Sequence, residues 1–134
     1  MTPTSGREKS WVEAAKRVRE NAVCGRSGFA VGAALEAADG TIFTGCNVEN
    51  STYGLTVCAE RVAVWKALSE GVRRFTGIAV VTDAAEPTAP CGACRQILWE
   101  FGGNLEIELA NLTESKGSHQ LKNLLPLPFD ARLL

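Results

Sequence analysis

Three cysteines and a glutamate, in two short segments, are the residues whose types and spacing could do chemistry. The segments are Cys58-Ala59-Glu60 and Pro90-Cys91-Gly92-Ala93-Cys94. Both cysteine segments open predicted helices, and a helix N-terminus favours thiolate over thiol. Three thiolates with one open tetrahedral position are typical of a catalytic Zn²⁺, which lowers the pKa of its bound water to about 7. The sequence therefore predicts a zinc centre with Cys58, Cys91 and Cys94 as ligands.

Two residues beside the first cysteine complete this predicted chemistry. On a regular helix positions 58 and 60 differ by about 200°, so Glu60 can face the metal only if Cys58 lies at the mouth of the helix. A carboxylate that is beside a metal-bound water without ligating the metal is placed as a general acid and base. Three thiolates outweigh the charge of one divalent ion by one unit. We therefore expect Arg61 to donate to a thiolate, with Arg95 as the second candidate.

Composition limits the kind of protein that carries these residues. The chain has 134 residues, of which 46% are apolar and 22% are charged, an ordinary globular mixture that predicts one domain over residues 10–134 after a mobile tail at 1–9. Its net charge of −1 argues against nucleic acid as a partner. Because it lacks a run of 18 apolar residues and an apolar signal core, we expect no membrane partner and a cytoplasmic location. In that reducing compartment cysteines more often serve metals or catalysis than disulfides.

The pattern of apolar residues predicts the elements that position the site. Helices are predicted over 10–24, 58–70 and 91–101, with a helical turn over 121–125, and strands over 29–37, 41–48, 78–82 and 105–109. Asp39-Gly40 is a tight hairpin signal, so the first strand is antiparallel to the second. This order predicts an α/β fold with three layers, α-β-α, around a mixed sheet of four to five strands. Polar residues and a glycine over 116–120 disfavour a fifth strand there.

The motifs around the site resemble those of the small homotetrameric zinc-dependent cytidine deaminases of pyrimidine salvage. The resemblance covers about residues 12–129 and is carried by Phe29-Ala30-Val31-Gly32-Ala33-Ala34-Leu35, Gly45-Cys46-Asn47-Val48-Glu49-Asn50, Tyr53-Gly54-Leu55, Cys58-Ala59-Glu60-Arg61, Pro90-Cys91-Gly92-Ala93-Cys94-Arg95-Gln96 and Leu124-Leu125-Pro126. It implies the three-layer fold of that family, Zn²⁺ as cofactor and a pyrimidine nucleoside as substrate. The implied reaction is hydrolytic deamination of cytidine and deoxycytidine, with Glu60 shuttling protons between a zinc-bound hydroxide and the ring.

The resemblance also implies the residues that bind the substrate. The backbone N–H of Ala59 would bind the pyrimidine O2 and Phe29 would pack against the base. Asn47 and Glu49 would hold the ribose hydroxyls, in agreement with the rule that residues two apart on a strand point the same way. Tyr53, among the substrate-binding residues, and Phe129 resemble positions that members of the family lend across the interfaces of a homotetramer.

One departure from the family pattern leaves the substrate open. Gly25-Arg26-Ser27 stands where the family usually has Pro-Tyr-Ser. We favour a surface arginine in a changed salt bridge; a competing hypothesis is a substrate with an anionic group or another aminopyrimidine nucleoside, such as a nucleoside antibiotic.

The cysteine cluster has a second interpretation, and so do the two predicted sugar-binding residues. A non-catalytic, zinc-stabilised interaction module would need a closed site, with a fourth ligand from Cys24, Cys46 or His119. Asn47 and Glu49 could instead be turn formers after the strand.

Overall fold

Five strands form one mixed sheet in the order β2-β1-β3-β4-β5. The computed structural model describes residues 3–134, with side chains from residue 10 onward. The strands are β1 (Gly32–Ala37), β2 (Ile42–Cys46), β3 (Phe75–Val81), β4 (Glu106–Ala110) and β5 (Ser115–Gln120), and the helices are α1 (Pro3–Arg19), α2 (Ala59–Ser69), α3 (Gly92–Gly102) and α4 (Leu121–Leu124). β1 pairs antiparallel with β2 and β3, β3 pairs parallel with β4, and β5 is antiparallel to β4.

Helices cover both faces of this sheet. Trp11 and Ala15 of α1 pack against Ala34 and Ala79 of the central strands, whose small side chains let the helix approach closely. On the opposite face, α2 and α3 pack on a larger core of aliphatic side chains that includes Leu35, Ile78, Ile107 and Leu98. The predicted α-β-α layers and the antiparallel first strand are therefore confirmed.

Gly45 fixes the distance between α2 and the sheet. A Cβ built at this position would lie 2.5 Å from the backbone N of Ala63 and would overlap the carbonyl oxygen of Ala59. Only glycine therefore lets the backbone of α2 rest directly on β2. This contact sets the position of the first turn of α2, which carries Glu60.

The structure corrects two of the predicted boundaries. α1 begins at Pro3 rather than Ser10 and ends at Arg19 rather than Cys24. Thus the backbone of residues 3–9 is helical where a tail was expected, while residues 1 and 2 lie outside the described residues. The mobility of that segment stays a prediction.

Residues 116–120 form a strand although their composition disfavours one, so the sheet has five strands, the larger of the two predicted numbers. β5 pairs with β4 through Glu106↔Gln120, Ile107↔His119 and Glu108↔Ser118. It is an edge strand whose side chains are mostly exposed, so backbone pairing suffices and polar side chains are compatible with it.

Among residues 3–134, each helix is too short or too polar to span a lipid bilayer.

Candidate metal centre and the cavity beside it

The N-terminal turns of α2 and α3 bring the three cysteines together. Cys58 is the N-cap of α2 and Cys91 the N-cap of α3, both with extended backbone, and Cys94 follows in the first turn of α3. Their sulfur atoms all lie within 4.8 Å of one another. The Sγ of Cys91 also accepts a hydrogen bond from the backbone N of Cys94, at 3.4 Å. Free N–H groups at the start of a helix favour negative charge. The N-termini of α2 and α3 therefore both stabilise thiolates in this cluster.

The cluster divides charge unequally among its thiols. A hydrogen bond from the Cys94 thiol, together with one from the Arg61 guanidinium, lowers the pKa of Cys58 to about 5. The same contact with the Cys58 sulfur, together with burial, raises the pKa of Cys94. Cys94 therefore keeps its proton and donates it in a hydrogen bond to the Cys58 thiolate. A divalent cation in their midst would replace that proton, because metal binding and deprotonation of thiols are coupled.

Arg61 supplies a positive charge to this cluster. Its Nη2 donates to the Sγ of Cys58 at 3.3 Å. Its Nε is buried and has no hydrogen-bond partner within the described part of the chain. Arg95, the second candidate, is used elsewhere: its Nε donates to the carbonyl of Pro90 and its Nη1 to that of Leu124. Arg61 is thus the guanidinium that meets a thiol.

Glu60 lies beside the cluster as a buried carboxyl. It is 5% exposed, and burial, assisted by the negative charge of Cys58, raises its pKa to about 7. The extended backbone of Cys58 places that residue before the regular helix begins, which satisfies the geometric condition for Cys58 and Glu60 to share one cavity. A carboxyl with a pKa near neutrality can both accept and return a proton.

The residues at this centre fit a zinc ion. The cluster found among residues 10–134 has three members, all cysteines, and Cys24, Cys46 and His119 are not among them. The three thiols at two helix ends form a donor set that leaves a fourth tetrahedral position open. A guanidinium lies on one of the sulfurs, and the Glu60 carboxyl lines the same cavity as Cys58 and Cys91. The arrangement does not have the closed ligand set of a structural zinc site.

A cavity of about 280 Å³ opens beside Glu60 and two of the cysteines. Its remaining lining combines apolar and polar side chains: Phe29, Val31, Val57, Ala59, Val80 and Ala89, with Ser27, Asn47, Glu49, Thr56 and Thr88. An apolar cavity with a few convergent polar groups is typical of a small-molecule site. Ala59 is the first residue of α2, where a backbone N–H has no partner inside the helix.

Asn47 and Glu49 share a wall of this cavity but do not belong to a strand, because β2 ends at Cys46. The Oδ1 of Asn47 accepts from the backbone N of Val31 and its Nδ2 donates to the carbonyl of Phe29, both at 2.8 Å. Glu49 accepts hydrogen bonds from the segment that precedes Phe29. Both side chains therefore hold neighbouring backbone as well as facing the cavity.

Tyr53 lies outside the main cavity. It lines a neighbouring hollow with Arg26, is 74% exposed, and the Arg26 guanidinium lies 5.5 Å from the centre of its ring. Nη2 of Arg26 donates to the Oγ of Ser51, and no ion pair of Arg26 is present among the described residues. The expected salt bridge is thus replaced by a hydroxyl and an aromatic face. Phe129 is 56% exposed on the C-terminal segment.

Comparison with known proteins agrees with this geometry. The profile of the cytidine and deoxycytidylate deaminase zinc-binding region matches residues 5–107. The chain belongs to this family. It is 50% identical over 115 residues to a cytidine deaminase of Sporosarcina psychrophila, covering 85% of each chain, and 45% identical over 121 residues to one of Halalkalibacterium halodurans, covering 90% of this chain and 92% of the relative. The crystal structure of cytidine deaminase from Burkholderia pseudomallei is similar with a TM-score of 0.87 and 46% identity, covering 96% of this chain and all of that one.

Membership of this deaminase family confirms the resemblance and the fold class stated from the sequence. It also confirms Zn²⁺ as the cofactor, since the matched region is zinc-binding and the cluster of three cysteines suits that ion.

Sequence reasoning missed three polar residues of the cavity wall. Ser27, Thr56 and Thr88 all line it, and Thr88 and the buried Thr82 share a hydrogen bond between their hydroxyls at 3.1 Å. Ser27 stands two residues before Phe29, and that proximity to a predicted substrate contact was the available signal. Nothing in the local sequence distinguishes the two threonines from ordinary loop residues.

Proposed function

We propose that this chain is an enzyme that hydrolyses the exocyclic amino group of cytidine and 2′-deoxycytidine, yielding uridine or 2′-deoxyuridine and ammonia. The observation that carries this proposal is the buried Glu60 carboxyl, which meets a cluster of three cysteines at one wall of a cavity. Relatives that match at 50% and 45% identity are cytidine deaminases, which supports the same reaction here.

Cys58, Cys91 and Cys94 would hold the zinc ion. When bound, zinc supplies Lewis acidity that makes a water nucleophilic near neutral pH. The Arg61 guanidinium would offset the excess negative charge of three thiolates, which otherwise weakens that Lewis acidity.

Glu60 would move the protons of the reaction. Its carboxylate would accept one proton from the attacking water and deliver it to ring N3, while the oxygen attacks C4. It would then carry the second proton to N4, so that the C4–N4 bond breaks and ammonia leaves. The raised pKa of Glu60, about 7, suits a group that must accept and donate in one cycle.

The cavity wall would orient the nucleoside. Phe29 would pack on the base and the N–H of Ala59 would donate to O2. The Asn47 amide donates one hydrogen bond to the carbonyl of Phe29 and accepts one from the backbone N–H of Val31. One N–H and one acceptor site of the amide remain for a ribose hydroxyl. Glu49 would accept from a neighbouring hydroxyl.

We further propose that the enzyme is a cytoplasmic homotetramer that acts in pyrimidine salvage without a nucleic-acid or membrane partner. The rings of Tyr53 and Phe129, 74% and 56% exposed, are accessible to another subunit, which is the role that the resemblance implies for these two positions. The net charge of −1 gives no electrostatic footprint for a polynucleotide.

The test combines metal analysis with loss of the ultraviolet absorbance of cytidine. Wild-type protein should contain one zinc per chain and deaminate cytidine, whereas Glu60→Gln should retain zinc and lose about 10²- to 10⁴-fold in kcat, the usual contribution of proton transfer. Glu70→Gln is the matched control, because Glu70 is an exposed residue at the opposite end of α2. Zinc-loaded wild type that leaves cytidine intact, or a Glu60→Gln variant as fast as wild type, would contradict the proposal.

A further inference from the structure

We propose that Ser27 is a positioning residue that orients the Glu49 carboxylate toward a sugar hydroxyl and so sets the preference of the site for hydroxylated nucleosides. This inference rests on the proposed function, because it assigns a partner to the sugar contact of the same cavity. Ser27 and Glu49 both line that cavity. They are separated by 22 residues in the chain.

Three donors from one loop converge on the Glu49 carboxylate. The backbone N atoms of Arg26 and Ser27 donate to Oε1 at 3.0 and 3.1 Å. The Ser27 hydroxyl donates to Oε2. The same hydroxyl oxygen accepts from the backbone N of Phe29 at 3.0 Å, so it ties the base-packing residue to the carboxylate.

The loop that carries Ser27 is closed on itself. Gly28 has a φ of +70°, a conformation that favours glycine, and its N–H donates to the carbonyl of Cys24 at 2.7 Å. The turn therefore presents two successive N–H groups and one hydroxyl to a single carboxylate. A hydroxyl at position 27 can donate to Glu49 and accept from Phe29 at once, which an alanine cannot do.

Counting acceptor sites shows what remains for a ligand. A carboxylate offers about four lone-pair sites; the two backbone donors occupy those of Oε1, and the Ser27 hydroxyl occupies one of Oε2. One site of Oε2 is left. The Ser27 hydroxyl is also the main reason that the pKa of Glu49 lies below its usual value, so the group is an ionised acceptor at neutral pH. Its ligand must donate, as a sugar hydroxyl does and a deoxy carbon does not.

The proposal predicts a selective effect of removing the Ser27 hydroxyl. In Ser27→Ala, Oε2 loses its fixed partner while the two backbone donors hold Oε1. Binding of a nucleoside with ribose hydroxyls should weaken by about 3- to 10-fold, the value of one ordinary hydrogen bond. A nucleoside without those hydroxyls should bind as before.

The experiment measures competitive inhibition constants of uridine and 2′,3′-dideoxyuridine, with zinc content and melting temperature recorded for every variant. Ser27→Ala should weaken uridine alone, Ser27→Thr should restore its binding, and Ser27→Ala should have no further effect in a Glu49→Gln background. Ser51→Ala is the matched control, since the hydroxyl of Ser51 meets the Arg26 guanidinium on the same rim.

Two results would overturn the inference. Equal weakening of both ligands, or no weakening of uridine, would reduce Ser27 to a structural residue while wild-type activity on cytidine leaves the proposed function intact. If Ser27→Ala does not fold, the wild type and Glu49→Gln decide the question. The inference is refuted if wild type binds uridine and 2′,3′-dideoxyuridine equally, or if Glu49→Gln prefers uridine as strongly as wild type does. A zinc-loaded wild type inactive on cytidine would refute both proposals.

Discussion

Replacing Arg61 by alanine should weaken zinc binding, and the structure gives the sign and the size of the effect. The guanidinium donates to the Cys58 sulfur at 3.3 Å and lowers the pKa of that thiol. Because three thiolates outweigh a divalent ion by one charge, the loaded centre attracts the guanidinium rather than repelling it. Loss of Arg61 therefore raises the cost of the thiolate that zinc requires.

The magnitude follows from one hydrogen bond to a charged acceptor. Such a bond contributes about 1.5–3 kcal/mol, which corresponds to about 10- to 150-fold in affinity. This agrees with the range of about 10- to 100-fold by which groups around metal ligands affect metal affinity. The value applies to a partly buried pair, since Cys58 and Arg61 are both half-buried.

The assay is competition for zinc against a chelator of known affinity, with the wild type, Arg61→Ala and Arg61→Lys compared at neutral pH. Arg61→Lys keeps the charge without the planar fork and should fall between the other two. Arg73→Ala serves as control, because the Arg73 side chain donates to the carbonyls of Leu68 and Val72 and should leave zinc affinity unchanged. If Arg61→Ala binds zinc as tightly as wild type and turns over at the same rate, the assigned role of the guanidinium is wrong.

Three further predictions test the packing and the rim of the cavity. Gly45→Ala should lower the free energy of unfolding, measured by urea titration, by about 1–3 kcal/mol because the added methyl group overpacks the contact with α2. Gly54→Ala, where an added Cβ meets nothing within 4 Å, should be near neutral. Equal effects of the two substitutions would refute the close approach of α2 to the sheet. Trp11→Phe removes the indole N–H that donates to the buried Glu108 carboxyl and should cost about 1–3 kcal/mol, so an unchanged melting temperature would contradict the burial of that pair. Because the Arg26 guanidinium is already engaged, cytidine monophosphate should have no advantage over cytidine in kcat/KM, and a clear gain for the phosphate would show the reverse.

The metal cluster could be predicted from sequence because its geometry is local. Cys91 and Cys94 are three residues apart, and the spacing of Cys58 and Glu60 makes sense only at a helix start. The structure places Cys58 and Cys91 at the N-caps of α2 and α3. Each half of the cluster, Cys58 with Glu60 and Cys91 with Cys94, could therefore be predicted from local spacing, although the two halves are far apart in the chain. Arg61 followed from charge balance rather than from any pattern.

The edge of the sheet could not be predicted in the same way. Strand propensity describes side chains on a half-buried surface, and β5 has almost no buried side chains. Its stability depends on backbone pairing with β4, which polar residues and Gly117 permit. Likewise, the start of α1 at Pro3 lies before the capping pattern at Ser10, because a good capping sequence does not prevent a helix from extending further.

The cavity wall formed by Asn47 and Glu49 shows most clearly which features of a site cannot be predicted from sequence. The resemblance implies Asn47 and Glu49 as the sugar contacts, and the expected strand agrees with that pairing, yet β2 ends at Cys46. Hydrogen bonds to the segment 26–31 orient both side chains instead. That segment also carries Phe29, so one loop carries the proposed base contact and hydrogen-bonds to both proposed sugar contacts. A change in the loop should therefore alter base and sugar recognition together unless, like Ser27→Ala, it removes a single hydroxyl and leaves the backbone donors in place. The difference between those two kinds of substitution separates orientation of the Glu49 carboxylate from simple maintenance of the cavity wall.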